Sequence, residues 1–277
     1  MFIDAHFHAW QLARGDYAWL TPMLSPIYRD VSVADWQAQA TPHRVTGGVL
    51  VQAAPTEAET RFLLQQADQH DAVLGVVGWV DWLAPDASAR IHALAHHRKL
   101  KGLRPMLQDI ADPAWILQTA VQPALQAMVE CGLVFDALVK SVHLPHVLTL
   151  AQRHPALKIV IDHGAKPDIV GHEWQPWADG IVQIARETSA CCKLSGLLTE
   201  TAKAAEGAQA GDVKPWVDHL LNCFGPERLI WGSDWPVLEL RSTYSGWRQM
   251  SLTLLGNLNN SQRHAVLGGN AARVYGL

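Results

Sequence analysis

Eight short apolar runs, each followed by a helix-forming stretch, predict a parallel (β/α)8 barrel for this 277-residue chain. Two further observations favour that class. Polar residues fall at the C-terminal ends of the runs, where a barrel collects its loops at one mouth. Neither G-x-G-x-x-G nor G-x-x-x-x-G-K-[ST] follows any run, so the phosphate-cradling turns of a doubly wound open sheet, the competing fold, are missing. A barrel of about 250 residues folds as one unit, and residues 1–277 are read as one domain.

The first run, Phe2-Ile3-Asp4-Ala5-His6-Phe7-His8, reads as a buried strand with two imidazoles. Strict alternation puts Asp4, His6 and His8 on one face and Ile3, Ala5 and Phe7 on the other. A wholly polar face in a buried strand must find partners for every nitrogen and oxygen. Two core histidines bonded to backbone carbonyls would satisfy it. His-x-His at the end of a first strand points instead to a site, because imidazole is the commonest metal ligand.

Ala9 to Arg29 follows without a clear period and holds Trp10, Tyr17, Trp19, Pro22 and Pro26, as suits a loop over the barrel mouth. Gly47 to Gln52 is the second strand. Thr56 and Glu59 stand in capping-box spacing at the start of a helix whose apolar face is Ala58, Phe62, Leu63 and Ala67. Val73–Val80 is the third strand, Asp86 to His97 a helix, and Leu100 to Arg104 the fourth strand, stopped by Pro105. Asp112-Pro113 opens a helix over Ile116, Leu117, Ala120 and Val121, kinked or restarted at Pro123 and ended by Gly132. Leu133–Val139, Leu157–His163, Ala190–Leu194 and Arg228–Asp234 complete the strands, with helices over His143 to His154 and Ile181 to Thr188.

Composition narrows the function. Hydrophobic residues make up 49% and charged residues 17%, which fits a globular enzyme. Lys and Arg number 22 against 26 Asp and Glu, with no basic stripe, so nucleic acid is not an expected partner. No run of 18 apolar residues occurs, Asp4 stands where a secretory leader would carry basic residues, and the four cysteines form no C-x-x-C pair, so a reducing cytoplasm and no membrane are expected.

The strand ends bring together His6, His8, Gln52, Asp81, Arg104, Asp136, His163, Lys193, Ser195 and Asp234. No G-x-S-x-G elbow or cysteine nucleophile motif accompanies them. With Phe2-Ile3-Asp4-Ala5-His6-Phe7-His8-Ala9-Trp10, Asp162-His163-Gly164-Ala165-Lys166-Pro167, Lys193-Leu194-Ser195-Gly196-Leu197, Gly232-Ser233-Asp234-Trp235-Pro236 and Gly269-Asn270-Ala271-Ala272-Arg273 in place, nearly the whole chain resembles the amidohydrolase superfamily, in its sugar-acid lactonase branch. The resemblance implies a distorted TIM barrel of amidohydrolase type, with Asp234 as general base and a carbonyl held near the histidines.

The resemblance also implies chemistry at named positions. Lys101 lies near its strand's start and the fifth strand lacks a histidine, so a two-metal site is not expected. One zinc or manganese ion on His6, His8, His163 and Asp234 suits the N/O donors. A metal-free arrangement, with the same histidines donating to the carbonyl, stays open, and an ion would then be dispensable. Asp234, His6, His8, His163 and Arg104 form the expected catalytic set. Trp10, Tyr17, Gln52, Lys166 and Trp235 are expected to orient the ring. The expected partner is a small aldonolactone, with self-association into a homo-oligomer left open. Two other functions compete with lactone hydrolysis, a metal-dependent decarboxylase and a catalytically silent sugar-acid-binding barrel.

Overall fold

The structure is a computed structural model and describes residues 2–202 and 207–277. Strands β1 (Phe2–Phe7), β2 (Val45–Val51), β3 (Val73–Gly78), β4 (Leu100–Leu103), β5 (Val134–Ala137), β6 (Lys158–Ile161), β7 (Cys191–Leu194) and β8 (Leu229–Trp231) form one parallel sheet in sequence order. Past β8 the chain reaches back to β1, where Asp234 N donates to His6 O and His8 N to Trp235 O, each at 2.8 Å. These bonds bring the sheet round into a barrel, as expected from the alternation of strands and helices.

Helices α1 (Val33–Ala40), α2 (Glu57–Gln69), α3 (Ala87–Ala95), α4 (Gln122–Glu130), α5 (Leu144–Arg153), α6 (Trp177–Glu187), α7 (Ala210–Phe224) and α8 (Tyr244–Leu254) follow the strands. Helices α9 (Asn260–His264) and α10 (Asn270–Tyr275) close the chain. None of the described helices is long and apolar enough to cross a membrane.

Side chains alternate between two apolar compartments. Val49, Val51, Val77, Val134, Val160 and Ile230 fill the barrel interior, while Leu50, Val76, Phe135 and Trp231 belong to the layer beneath the helices. Ala271, Val274 and Tyr275 of α10 pack against the interior set and plug its lower end. Tyr275 OH donates to Asp136 there, at 2.8 Å to Oδ1.

β1 departs from the expected alternation. Asp4 lies opposite Gly48 and Phe7 opposite Leu50, so three steps on β1 match two on β2, which is a bulge. Asp4 therefore leaves the face of His6 and His8 and points outward with Phe7. Its carboxylate accepts from Trp36 Nε1 at 2.9 Å, Tyr244 OH at 3.1 Å and Ser233 N at 2.8 Å. Phe7 stacks on Trp36 with ring centroids 3.9 Å apart. Gly48 makes this approach possible, since a Cβ there would meet Trp36 at 2.7 Å and Phe7 at 2.9 Å.

Other expectations are corrected in the loops. β3, β5, β6 and β8 end two or three residues before the predicted ends, because the chain must turn over the mouth there. No α-helix starts at Asp112-Pro113. Short 3-10 turns at Trp115–Leu117 and Thr119–Val121 lead into α4, which starts with Pro123 in its first turn, the restart rather than the kink of the two outcomes expected there. On α2, Ala58 is exposed and Glu59, Thr60, Leu63, Leu64 and Ala67 form the buried face. Thr56 caps Glu59 N at 3.1 Å as expected, but the Glu59 carboxylate turns away to accept from Ala53 N and Ala54 N at 3.0 and 2.7 Å.

Candidate active site

Three imidazoles converge on one carboxylate oxygen at the barrel mouth. Asp234 Oδ1 lies 3.3 Å from His8 Nε2, 3.7 Å from His6 Nε2 and 3.8 Å from His163 Nε2. All four residues are buried or nearly so. The bulge in β1 turns both of its histidines inward. His8 is fixed by Nδ1 donating to Val51 O at 2.8 Å.

His163 and Asp234 reach the centre from left-handed turns rather than from extended strand. His163, Gly164, Ala165 and Lys166 have φ of 53°, 60°, 62° and 44°, and Asp234 has φ 59°. Left-handed backbone costs L-residues roughly 1–2 kcal/mol each, so surrounding contacts must hold it. Trp177 Nε1 donates to Gly164 O at 2.7 Å, and Lys166 N to His163 O at 3.0 Å. Ser195 Oγ lies 2.9 Å from His163 Nδ1 and orients that ring.

A buried charged layer lies directly below. Arg104 Nη1 donates to Asp162 Oδ2 at 3.1 Å and lies 3.3 Å from His6 Nε2. Its other nitrogens donate to the carbonyl and side-chain oxygens of Gln52. Lys193 Nζ pairs with Asp136 and with Asp162, the latter at 3.0 Å. Two buried cations and two buried carboxylates thus compensate one another.

Burial decides most protonation states here. Burial and the nearby Lys193 ammonium hold the His6 imidazolium far below its usual range, and burial lowers His163 to about 4, so both rings are neutral at pH 7. Burial would raise the Asp234 carboxyl, but His163, His8 and His6 more than offset it and keep Asp234 an anion. Asp162 is likewise held low against burial by Lys193, His6 and Arg104.

The cleft above this floor encloses about 360 Å³. His8, Arg104, His163, Lys166 and Asp234 line it, and His6 lies just beneath. Of the five side chains expected to orient a ring, only Lys166 lines the cleft. Trp10 is fully buried with Nε1 donating to Arg29 O, Tyr17 is buried in the loop, and Gln52 is occupied by Arg104. Trp235 is buried with Nε1 on Glu239 at 2.7 Å. These residues stand behind the wall because large aromatic surfaces near a strand end gain more by packing under the loop than by facing water.

The cleft wall also contains residues that sequence reasoning missed. Glu200 pairs with Lys166 at 2.6 Å, and Leu24, Leu138, Val237 and Leu240 supply apolar surface beside Trp19 of the expected mouth loop. Nothing periodic marks Glu200, and only its place a few residues beyond Lys193-Leu194-Ser195-Gly196-Leu197 could have hinted at it. Asp81 lies instead in an adjoining cleft.

The donors of His6, His163 and Asp234 fit one divalent ion, and His8 Nε2, 3.3 Å from Asp234 Oδ1, falls outside that mutually close group. Bonds of about 2.0–2.1 Å in a tetrahedral site separate donor atoms by about 3.3–3.4 Å, close to the 3.3–3.8 Å observed around Asp234 Oδ1. The donor atoms of His6, His163 and Asp234 all lie within 4.8 Å of one another. In the layer below, Lys193 already pairs with Asp136 and Asp162, the further carboxylates there among the described residues.

Comparison with known proteins agrees with this geometry. The amidohydrolase family model matches residues 3–277. An L-fucono-1,5-lactonase of Burkholderia ambifaria is 42% identical over 277 residues, covering 99% of this chain and 94% of that protein. An L-fucono-1,5-lactonase of Burkholderia multivorans is 33% identical over 285 residues, covering 99% and 96%. A crystal structure of a Burkholderia multivorans amidohydrolase with bound zinc superposes with a TM-score of 0.93 at 32% identity, over 100% of this chain and 99% of that one. A barrel whose mouth gathers His6, His8, His163 and Asp234, matched by that family along its length, places this chain in the amidohydrolase family, in the branch that holds the L-fucono-1,5-lactonases.

Proposed function

We propose that residues 1–277 form one catalytic domain that opens a small sugar-acid lactone to the aldonic acid, with Asp234 as general base. The observation that carries this reading is the single carboxylate oxygen surrounded by three neutral or hydrogen-bonded imidazoles at the floor of the cleft. Asp234 is anionic at neutral pH and accepts the proton of the attacking water at Oδ1. The hydrogen bond from His8 Nδ1 to Val51 O leaves Nε2 facing the reaction centre. Arg104 brings a fixed positive charge to the cleft floor, where negative charge develops on the carbonyl oxygen.

A zinc or manganese ion held by His6, His8, His163 and Asp234 would supply Lewis-acid polarisation of the carbonyl and lower the pKa of water. Lys166 and Glu200 offer a donor and an acceptor to ring hydroxyls at the mouth. Leu24, Trp19 and Val237 suit the methyl group of a 6-deoxy sugar, in keeping with the names of the two Burkholderia relatives. The four free cysteines are in keeping with the reducing cytoplasm we infer for the reaction.

Proton release tests the reaction class. Opening a neutral lactone near pH 8 yields a carboxylate and one proton per turnover, because aldonic acids ionise at about pH 3–4. A weakly buffered indicator assay over D- and L-aldonolactones of both ring sizes should show acidification above spontaneous opening, greatest for an L-fucono- or related deoxy-lactone. No acceleration with any lactone, together with carbon dioxide release from an unsaturated acid, would replace the lactonase with a decarboxylase.

A further inference from the structure

We propose that a second subsite beside the reaction centre takes the hydrocarbon arm of an alkyl-substituted lactone, extending the activity beyond sugar-acid lactones. The proposal rests on the lactone-hydrolysis reading above. Its structural basis is a separate cleft of about 600 Å³, larger than the cleft over the histidines. Trp79, Trp82, Leu83, Ile110 and Trp115 form its apolar walls. Trp19, Met106 and Asp109 line both clefts, so the two adjoin, and a substituent leaving the lactone ring on that side is directed toward the larger one.

The walls are held in place. Trp19 Nε1 donates to Ala53 O at 2.7 Å, and Trp82 lies edge-on to Phe135 at 5.8 Å. Leu83 is 48% exposed, so apolar surface faces water here when nothing is bound. Among the described residues the lining contains two carboxylates, Asp81 and Asp109, and no Lys, Arg or His, which disfavours an anionic occupant. A second sugar ring is also a poor fit. It would bring several hydroxyls to a wall with few polar partners, and Asp81 already accepts from Leu83 N at 3.2 Å. A hydrocarbon chain asks for no such partners.

The reaction is unchanged by the arm. Water oxygen bonds to the acyl carbon, the bond from acyl carbon to ring oxygen breaks, one water proton passes through Asp234 to the departing ring oxygen, and the new acid loses the other. Binding and turnover are measured on two matched series carrying arms of zero to six carbons. Calorimetry on six-membered lactams, which resist hydrolysis, reads binding, and kcat/KM on the corresponding lactones reads reaction.

Affinity and kcat/KM should both rise about fourfold per methylene until the cleft is filled. Leu83→Asp, at an exposed position, and Trp115→Ala should flatten both slopes while leaving kcat/KM for the unsubstituted lactone as it was. A flat lactam series in the unmodified protein overturns the proposal, as does a slope that both variants preserve. If a second copy of the chain covers this cleft, the series is flat and Leu83→Asp alters the oligomeric state in light scattering, again overturning it. If no lactone turns over but the lactam slope persists, the subsite stands and the lactonase reading falls.

Discussion

Lys193 Nζ lies 3.2 Å from His6 Nδ1, directly beneath the reaction centre, while the same ammonium pairs with Asp136 and Asp162. One cation therefore supports both the fold and the site. It compensates two carboxylates that have no access to water, and it fixes the environment of an imidazole facing Asp234.

Removing that cation should be costly. Lys193→Met leaves Asp136 and Asp162 short of a partner and should lower unfolding stability by about 3–5 kcal/mol. Combining it with Asp136→Asn should restore part of the loss. Urea denaturation of the three variants checks this, and additive losses would show that the charges do not interact.

Asp234→Asn should fold normally and lose about 10²–10⁴-fold in kcat, the usual contribution of a positioned general base. Circular dichroism and thermal unfolding control for structure. Retention of most activity would remove Asp234 from the role of base.

Metal content provides a separate check. Purified protein should carry at most one divalent ion per chain, because Lys193 occupies the carboxylates a second ion would need. Elemental analysis with two tightly held ions would contradict the ligand set described here. Full activity after chelation would assign carbonyl polarisation to the chain's own donors.

Gly196→Ala should disable the site with little global change. Gly196 has φ +63°, and a Cβ there would fall 2.4 Å from His163 Nδ1. The imidazole must move, and kcat should drop at least about 100-fold, as expected when a reacting group shifts by an ångström. A crystal structure with His163 unmoved would refute this.

Glu59 predicts a pH dependence. Burial raises its carboxyl to about 7, although Ala54 N and Ala53 N donate to it. The folded chain therefore binds a proton that the unfolded chain releases near pH 4.5. The stabilisation is complete below that pH and is lost as pH rises through about 7, a change on the order of 3 kcal/mol. Glu59→Gln should remove the slope, and denaturation at pH 5 and pH 8 measures it.

The sequence by itself determined the order of strands and helices and the chemistry at their ends. Apolar runs buried on both faces can hardly be anything but parallel strands, and a barrel sends their C-terminal ends to one mouth, so His8, Arg104, His163, Lys166 and Asp234 could be placed there without coordinates. Family resemblance added the pairing of Asp234 with three histidines. Tertiary structure alone decided which neighbours of those residues face the cleft. Asp4 left the histidine face because a bulge adds one residue to β1, and a period-two pattern contains no sign of such an insertion. His163 and Asp234 sit in left-handed turns that only contacts from distant residues such as Trp177 can hold. Trp10 and Trp235 were drawn under the loops while Trp19 stayed in the wall, since the position of an indole depends on the surface available to cover it, and that surface exists only after the chain has folded.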